Sequence, residues 1–552
     1  MFGHKEKIKK ELILLIIIFI LAAVLRFYKL GENPPSLTWD EAAWGYNAYS
    51  LGIDGRDEFG RFLPWDYLES FGDFKPPVYA YLTILPVKIF GLNEFSTRFA
   101  SAFFGTLTVI LVYFLTKELF FNSQFAIRNS LIASFLLAIS PWHIMLSRAA
   151  FEANVASFFI IEGVVAFLRS MRDKGWWLIF SALSFALSLQ TFNTARIVSP
   201  FLVLLLAIGF RKKLLSLKKW VLLSFLTGFI VLGPVVPFYF TPQAKLRFKE
   251  VNIFSDASVV ALANQEMAND NWAWWSRIIH NRRWGYLRLF LRHYFDHFNP
   301  NFLFFKGDGN PKFSTQDVGE LYLWELPFLI WGTLVLFRKK EGYWWIIPFW
   351  LFGGIIPAAT ARETPHALRI ESTLPTWQIL AALGVGEFLN WLGNLKTKDF
   401  FKSLIVFFVF FFLIFNFFYF QHGYWRHYPA EFSGEWQYGY KPAIGYIKEN
   451  EGKYDQIWFT SSLGRPYIYF LFYLKKSPSE FRQQARVKRD VFGFVEVEGF
   501  GKYNFFRDKE EISTFGKSLI IAGPSEIPKE IVPLTTFLLL NGKPILVAYE
   551  KI

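Results

Sequence analysis

Runs of about twenty apolar residues recur along this chain of 552 residues, and they limit its fold more than any other feature. A run of this length crosses the hydrocarbon core of a bilayer as a helix. We identify about eleven of them, at 11–30, 97–119, 126–145, 152–169, 176–193, 197–211, 219–240, 319–338, 342–360, 368–391 and 402–421. Only 19% of the residues are charged, which is low for a soluble domain. The sequence therefore predicts an α-helical polytopic membrane protein.

Basic residues cluster in every second short loop and at the N-terminus, Met1–Lys10. Such clusters mark the cytoplasmic side of a membrane protein. They also account for the net charge of +14 without any nucleic-acid partner. We expect a protein of the cytoplasmic membrane whose N-terminus is cytoplasmic and whose first span is retained, not cleaved. The outward loops are then 31–96, 140–152, 194–196, 241–318, 361–368 and the tail after 421.

The first outward loop carries the most unusual polar residues. Trp39-Asp40-Glu41 follows the first span closely, and Lys75-Pro76-Pro77 comes later in the same loop. Charges beside a membrane are costly unless they face water, a partner or a substrate. An acidic pair after a span is often only solvated surface, so the pair alone does not define a site. Two interfacial helices are predicted in this loop, Asp40–Leu51 and Pro76–Phe90.

Polar residues in two other places fall on the same predicted face. Arg148 and Glu152 flank the third and fourth spans, and His366 and Arg369 lie at the outer end of the tenth. Each has an ordinary explanation. Arginine extends its charge to the headgroups, Glu152 suits a helix N-terminus, and His366 and Arg369 flank the membrane. Their convergence with the first outward loop nevertheless predicts one site on the outer face.

The chemistry of these residue types fits group transfer from a lipid phosphate. Asp40 beside a membrane could remove a proton from an acceptor hydroxyl. Lys75 and Arg148 could stabilise phosphate oxygens, and His366 with Arg369 could complete that phosphate site. Glu152 is a second acid, and with Asp40 it is a candidate ligand for a divalent metal ion. The chain has no cysteine, which excludes disulfides, thiol catalysis and cysteine-ligated metals.

Two further regions complete the predicted organisation, which divides the chain into a transmembrane domain, 1–421, and an outer domain, 422–552. The long loop 241–318 is rich in tryptophan and arginine, which fits either a gate over the site or a small anchoring domain. The tail 422–552 loses the membrane pattern and is predicted to form a small extracytoplasmic α/β domain. We expect strands at Asp455–Thr460 and Ser518–Ala522, a helix at Pro466–Lys475, and a hairpin at Leu538–Tyr549 turning at Asn541-Gly542.

The order of these motifs resembles the polytopic type C glycosyltransferases. The resemblance is to the branch of the protein O-mannosyltransferases and the lipid A aminoarabinose transferases. Trp39-Asp40-Glu41 is followed by Lys75-Pro76-Pro77, by Gly91 through Arg98, and by Ser140-Pro141 with Arg148 and Glu152 after it. The likeness covers about 1–240 well and 319–391 loosely, the latter through Phe305-Lys306-Gly307-Asp308 and the Arg369 region.

This resemblance implies an inverting transfer of a sugar from a polyprenyl-phosphate carrier to an unknown acceptor on the outer face. Asp40 would be the catalytic base and Glu41 its support. Lys75 and Arg148 would bind the carrier phosphate, and Glu152 would be the second acid of the site. In the aminoarabinose enzymes an acid directly precedes the lysine, whereas here Phe74 does so and Asp73 stands one step further back. That departure weakens the analogy to their metal site.

Two other classes of function compete with the glycosyltransferase. A secondary transporter would place acids near the membrane midplane and often shows repeated halves. Here the acids lie at the predicted outer rim and no repeat is visible in the sequence. A non-catalytic membrane assembly protein would use the tail as its partner module. Transfer from a labelled polyprenyl-phosphate sugar would separate the enzyme from both alternatives.

Overall fold

The protein is mostly helical. A computed structural model describes residues 2–244, 251–397, 399–489, 495–527 and 531–551. Its α-helices in the first half of the chain are α1 Phe2–Phe27, α2 Trp39–Asp54, α3 Val78–Phe90, α4 Glu94–Leu119, α5 Ala126–Ile139, α6 Pro141–Arg148, α7 Glu152–Arg172, α8 Trp177–Leu189, α9 Ala195–Gly209, α10 Arg211–Ser216, α11 Lys218–Leu232 and α12 Val236–Tyr239. Those in the second half are α13 Ala257–Asn269, α14 Ser276–Ile279, α15 Arg282–Asp296, α16 Glu325–Lys339, α17 Ile346–Ala359, α18 Leu374–Asn394, α19 Asp399–His422, α20 Tyr428–Glu431, α21 Tyr440–Asn450, α22 Pro466–Tyr473 and α23 Pro478–Gln484.

Strands occur in two places. A two-stranded hairpin lies in the first predicted outward loop, and a seven-stranded sheet lies in the tail, with strand order β4-β5-β6-β3-β7-β9-β8. The strands are β1 Leu68–Ser70, β2 Asp73–Lys75, β3 Gln456–Thr460, β4 Arg486–Arg489, β5 Val495–Phe500, β6 Tyr503–Phe506, β7 Ser518–Ala522, β8 Thr535–Leu538 and β9 Pro544–Lys551. The central strand β3 is parallel to both neighbours, and the other pairs are antiparallel.

Contacts divide the chain into two compact units, each built from separate segments. The helical unit comprises Met1–Leu25, Phe104–Leu146 and Ala153–Phe420, and the mixed unit comprises Arg26–Phe103, Ser147–Glu152 and Gln421–Ile552. The first predicted outward loop and the tail therefore belong to the same unit. No local sequence pattern predicts that they share a unit, because the two segments are more than three hundred residues apart.

One apolar core holds the mixed unit together. It joins Tyr46 of α2 and Phe71 of the hairpin turn to Phe459 of β3 and Phe470 of α22. Helices α2 and α22 approach closely at Gly45. A Cβ at this position would lie 2.6 Å from the Phe472 ring, so the absence of a side chain allows the two helices to pack this tightly. Helix α2 is consequently buried on more sides than the amphipathic pattern predicts.

The predicted elements of the tail are confirmed. Strands β3 and β7 and helix α22 lie where the apolar runs indicate, and β8 and β9 form the expected hairpin, with Gly542 at φ +81° in its turn. Strands β4 to β6 were missed. Strand β4 is charged and exposed along its whole length, so it carries none of the alternation by which strands are recognised.

The helical unit contains most of the predicted spans. Among the described residues, four helices are long and apolar enough to cross a membrane: Glu94–Leu119, Glu152–Arg172, Lys218–Tyr239 and Asp399–Glu431. Helices α5 and α6 are apolar enough only when taken together, and the pair is bent by 56° at the break before Pro141. Several other runs form shorter apolar helices, such as α8 and α9. The figure of eleven spans stays a prediction.

Helices α16 and α18 cross at very short range. A Cβ on Gly332 would lie 1.8 Å from the Leu380 carbonyl oxygen, and one on Gly384 would lie 1.9 Å from that of Phe328. Small residues allow such contact between membrane helices, where tight packing supplies much of the association energy. This crossing fixes α16 against α18, the helices that precede and follow α17 in the chain.

Candidate functional site

Asp40 lies in the first turn of α2, at a helix start that the local sequence determines. Thr38 is the N-cap: its hydroxyl accepts from the Glu41 amide at 3.3 Å, and its own amide donates to Glu41 Oε2 at 3.0 Å. This reciprocal capping box satisfies two otherwise unpaired backbone donors. Glu41 therefore caps the start of α2, and Asp40 is held in the first turn of that helix.

The tail of the chain fixes the approach to this turn. The Trp39 amide donates to Gln437 Oε1 at 3.0 Å, and the Tyr469 hydroxyl donates to the Leu37 carbonyl at 3.1 Å. Gln437 in turn donates to the Leu463 carbonyl at 2.9 Å. Sequence analysis missed Gln437, since nothing near it suggests a role in a site formed by the first loop.

The β1–β2 hairpin presents Lys75 to Asp40. Its two turn residues, Phe71 and Gly72, have φ of 64° and 80°, the arrangement of a tight hairpin turn whose twist suits the strands. Because side chains alternate along a strand, Asp73 and Lys75 point to one face and Phe74 to the other. Lys75 therefore still has an acid, Asp73, on its own face of the hairpin, although that acid stands two residues before the lysine and not directly before it.

Lys75 is surrounded by acids and aromatic rings. Its ammonium donates to Asp40 Oδ1 and lies 5.2 Å from the centre of the Trp44 ring. Burial lowers the pKa of Lys75, but the charges of Asp40, Asp73 and Glu152 outweigh it, so the pKa is raised overall. The ammonium consequently stays charged at neutral pH. The structure thus brings Asp40, Lys75 and Glu152 together.

Glu41 points away from this group into the core. Its Oε1 accepts from Arg98 Nε at 2.8 Å and from the Ala150 amide at 2.9 Å, and both side chains of the ion pair are buried. Arg98 also donates to the carbonyls of Leu30 and Pro34 at 3.2 and 2.8 Å. Sequence analysis did not select Arg98, although a lone charge at the start of an apolar span was a usable signal.

Arg148 is also fully buried in the mixed unit. Its guanidinium donates to the Tyr424 hydroxyl at 3.0 Å and to the carbonyls of Arg26 and Asn33 at 3.2 and 2.8 Å. It also lies 4.6 Å from the centre of the Trp425 ring. Several of its donors are therefore engaged by backbone and aromatic groups in this structure.

His366 and Arg369 belong to the helical unit, with a different set of partners. The Asp308 carboxylate accepts from the Ala367 amide at 2.6 Å and lies 3.9 Å from His366 Nδ1. Arg369 pairs with Glu363 at 3.7 Å. Burial raises the pKa of Asp308 to about 6, so this loop holds a carboxyl that titrates close to neutral pH. The chain segment of Asp308 is the one singled out by the loose resemblance.

Asp40 and Glu152, the two candidate ligands of a divalent metal ion, both lie near the Lys75 ammonium. No cluster of three or more metal-ligating side chains occurs among the residues that the structure describes. The ammonium of Lys75 is bonded to Asp40 Oδ1, so a metal ion would compete with Lys75 for that carboxylate.

Comparison with known proteins extends these observations. The family model of dolichyl-phosphate-mannose-protein mannosyltransferases matches residues 16–250, which include Asp40, Lys75, Arg98, Arg148 and Glu152. An uncharacterized protein of Aquifex aeolicus is 30% identical over 209 residues, 37% of this chain. The match spans only 39% of that relative's length.

Solved structures share the fold at low sequence identity. ArnT from Cupriavidus metallidurans, in its apo state, aligns over 99% of this chain and 98% of its own, with a TM-score of 0.52 and 11% identity. The same protein has also been solved bound to undecaprenyl phosphate. The Archaeoglobus fulgidus oligosaccharyltransferase aligns over 84% of this chain and 63% of its own, with a TM-score of 0.51 and 14% identity. The resemblance to type C glycosyltransferases is confirmed: the chain is an integral membrane protein with their fold, and residues 16–250 match the protein mannosyltransferase family.

Proposed function

We propose that this protein is an inverting glycosyltransferase that uses a polyprenyl-phosphate sugar as donor. The acceptor is a hydroxyl or phosphate on the outer face of the cytoplasmic membrane. The observation that carries this proposal is the Asp40–Lys75 pair. The carboxylate side chain is 50% exposed and can be reached by a substrate, whereas the lysine that holds it is only 10% exposed. The match of residues 16–250 to a mannosyltransferase family supports it.

The reaction requires one base and one group that stabilises a leaving phosphate. Asp40 takes the proton of the acceptor hydroxyl while the acceptor oxygen forms a bond to the anomeric carbon of the sugar. The bond from that carbon to the phosphate oxygen breaks, and its electron pair stays on the lipid phosphate. Lys75 neutralises the charge that develops there. Attack from the face opposite the leaving group inverts the anomeric centre.

Lys75 binds the Asp40 carboxylate first and the donor phosphate afterwards. Lys75 is paired with Asp40 in the structure. A donor phosphate that binds to the ammonium weakens this pair, and the carboxylate is then free to accept a proton. Donor binding in this way prepares the base, so that Asp40 becomes available only when a sugar is in place.

Glu152 and Arg148 have supporting roles in this proposal. Glu152 is a second acid whose charge acts on Lys75, and it helps to hold the ammonium in position. Arg148 is the second predicted phosphate ligand. Its guanidinium donates to main-chain carbonyls, so phosphate binding requires an exchange of those partners. Lys75 is therefore the first contact we assign to the phosphate.

Glu41 acts through the backbone and not on the substrate. Both of its oxygens are engaged, by Arg98, Ala150 and the N-cap of α2. It is a positioning residue that fixes the turn on which Asp40 stands. His366 and Arg369 remain candidates for a donor-phosphate contact, because a cationic side chain in a polar loop suits an anionic ligand.

The experiment compares Asp40→Asn with Asp66→Asn in the full-length protein. Asp66 lies in the same loop and pairs with Arg61, so it controls for the loss of one carboxylate. With a synthetic polyprenyl-phosphate sugar and a mixture of envelope acceptors, we expect Asp40→Asn to lower sugar transfer by about 10²–10⁴-fold, the usual contribution of a general base. Donor binding and thermal unfolding should stay as in the wild type.

Near-normal transfer by Asp40→Asn would remove Asp40 as the base. Equal losses in both variants would indicate general damage to the loop and not to a base. If the wild type transfers no sugar from any polyprenyl phosphate while binding the donor normally, the enzyme proposal itself is overturned.

A further inference from the structure

The segment 271–295 combines exposed apolar residues with a strong positive charge. Its sequence contains five arginines and no aspartate or glutamate: Arg277, Arg282, Arg283, Arg288 and Arg292. All five are exposed. The acids that precede the segment are engaged locally, since Glu266 accepts from His280 at 2.8 Å and Asp270 from Ser276 at 2.7 Å. The segment therefore carries a strong positive charge, and the next acid, Asp296 at the end of α15, accepts from the Thr364 hydroxyl at 2.8 Å.

Helix α15 within this segment is tied to the helical unit along its inner face. The Tyr286 hydroxyl donates to the Asp256 carbonyl at 3.2 Å, and the Tyr294 hydroxyl donates to the Phe352 carbonyl at 2.9 Å. His293 Nδ1 lies 2.8 Å from the Ala361 carbonyl oxygen. Since these bonds fix the rotation of the helix, the opposite face has a defined orientation.

That opposite face is an apolar stripe, formed by Trp284, Leu287, Leu291 and Phe295. The residues follow one another at helical spacings of three and four, and each is between 42% and 63% exposed. Arg288 and Arg292 flank the stripe on the same side of the helix. Because the inner face of this helix is already fixed, an outer row of large apolar side chains exposed to water would not stabilise the fold.

We propose that the outer face of α15 binds the anionic phospholipid headgroups of the bilayer that surrounds this protein. The stripe inserts into the boundary between headgroups and acyl chains, and the arginines contact lipid phosphates. Insertion removes the apolar surface of the stripe from water, which is favourable for large side chains such as these. The arginines add an electrostatic attraction to the negatively charged surface.

A lipid surface fits these observations better than a protein partner. The protein is embedded in a membrane, so lipid is the ligand always present beside it. Exposed tryptophans also cluster just before α15, at Trp272, Trp274 and Trp275. Tryptophan concentrates at headgroup depth, because its ring is apolar and its N–H can bind water or phosphate. The long loop 241–318 is predicted to be either a gate over the site or an anchoring domain, and we assign the anchoring role to α15.

The test uses the absence of cysteine from the chain. Leu291→Cys carries a single spin label on the stripe, and Thr536→Cys carries one on the exposed face of β8 as a water-facing reference. Both full-length proteins are placed in nanodiscs of phosphatidylcholine with phosphatidylglycerol. We expect the label at 291 to be several-fold less accessible to a water-soluble nickel complex than the label at 536, and more accessible to oxygen.

The arginines are tested by charge reversal on the same label. Arg288→Glu with Arg292→Glu should raise nickel access at 291 several-fold in the anionic nanodiscs. Lys448→Glu with Lys543→Glu makes the same change in net charge on exposed positions of the mixed unit and should leave it unchanged. Unchanged thermal unfolding of all variants ensures that local contact is being measured.

Three results would overturn the proposal. Equal nickel access at 291 and 536 would show that no lipid covers the stripe. Equal depth of the 291 label in nanodiscs with and without phosphatidylglycerol would show that anionic headgroups do not contribute to the binding of α15. Protection of the label only after an acceptor polypeptide is added would assign the surface to a protein. None of these results depends on whether the protein transfers a sugar.

Discussion

Two neighbouring acids, Asp40 and Glu41, form ion pairs of opposite character. Asp40 is half exposed and meets Lys75 from a hairpin in the same loop. Glu41 is buried and meets Arg98, 57 residues further along the chain. Successive residues on a helix point about 100° apart, which is enough to send one carboxylate to a surface and the other into the core.

The difference between them separates a reactive pair from a structural one. A buried pair has all of its hydrogen bonds made within the protein, and it strongly resists the loss of either member. A partly exposed pair contributes little to stability and can be opened by a competing ion. Of the two adjacent acids, we thus assign Asp40 to the reaction and Glu41 to the support of the turn that carries Asp40. Substitutions in each pair test this division.

The largest expected effect is on the buried pair. Arg98→Ala leaves Glu41 charged in the core, with the Leu30 and Pro34 carbonyls unpaired. We expect the free energy of unfolding of the protein to fall by about 3–5 kcal/mol, measured by thermal or denaturant unfolding in detergent micelles. Adding Glu41→Gln to Arg98→Ala removes the unpaired charge and should recover part of the loss. A stability within error of the wild type for Arg98→Ala would show that the pair is not structural.

The exposed pair should behave in the reverse way. Lys75→Ala should lower the free energy of unfolding by less than Arg98→Ala does, because Asp40 keeps its access to water whereas Glu41 does not. Its effect should appear in donor affinity, which is expected to fall by about 1.5–3 kcal/mol because a charged hydrogen bond to phosphate is lost. Binding of a polyprenyl phosphate to the variant in nanodiscs measures this. Unchanged donor affinity would remove Lys75 from the phosphate site.

The pH dependence of the Asp40–Lys75 pair has a defined sign. Because the pKa of Lys75 is raised in the folded protein, the stabilisation by the pair is fully present below the ordinary lysine pKa. It is lost only as pH rises through the raised value. Donor binding, measured as a function of pH, should therefore show no loss of the lysine charge at neutral or mildly alkaline pH.

A third acid, Glu58, sharpens the contrast between the two pairs. Glu58 is buried in the mixed unit, where Ser70 and Asn47 lie beside its carboxyl group. Burial raises its pKa from 4.5 to about 8, so the folded protein keeps a proton that the unfolded chain releases. Stability therefore falls as pH rises from about 4.5 to about 8.

Glu58→Gln should remove that slope, since an amide does not titrate. We expect the variant to be more stable than the wild type at about pH 8 and equal to it at about pH 4, as measured by the midpoint of thermal unfolding. Glu69→Gln is a suitable control, because Glu69 is also buried but is paired with Arg489. An unchanged pH slope in Glu58→Gln would mean that Glu58 is ionised in the folded protein.

Local patterns in the sequence determined a definite part of this molecule. The apolar runs determined the membrane helices, Thr38 and Glu41 determined the start of α2, and Asn541-Gly542 determined the last hairpin. The order of short motifs determined the family resemblance. Each of these features depends on residues within one turn, one strand or one loop, so that their spacing is visible in the chain itself.

Only the tertiary structure decided which residues face one another. It paired Asp40 with Lys75 and Glu41 with Arg98, and it joined the first outward loop to the tail in one core. It also engaged the guanidinium of Arg148 with backbone carbonyls, which its residue type alone could not anticipate. The physical reason is that these contacts join segments far apart in the chain. Side-chain packing and hydrogen bonding select them in three dimensions, and no periodicity records them.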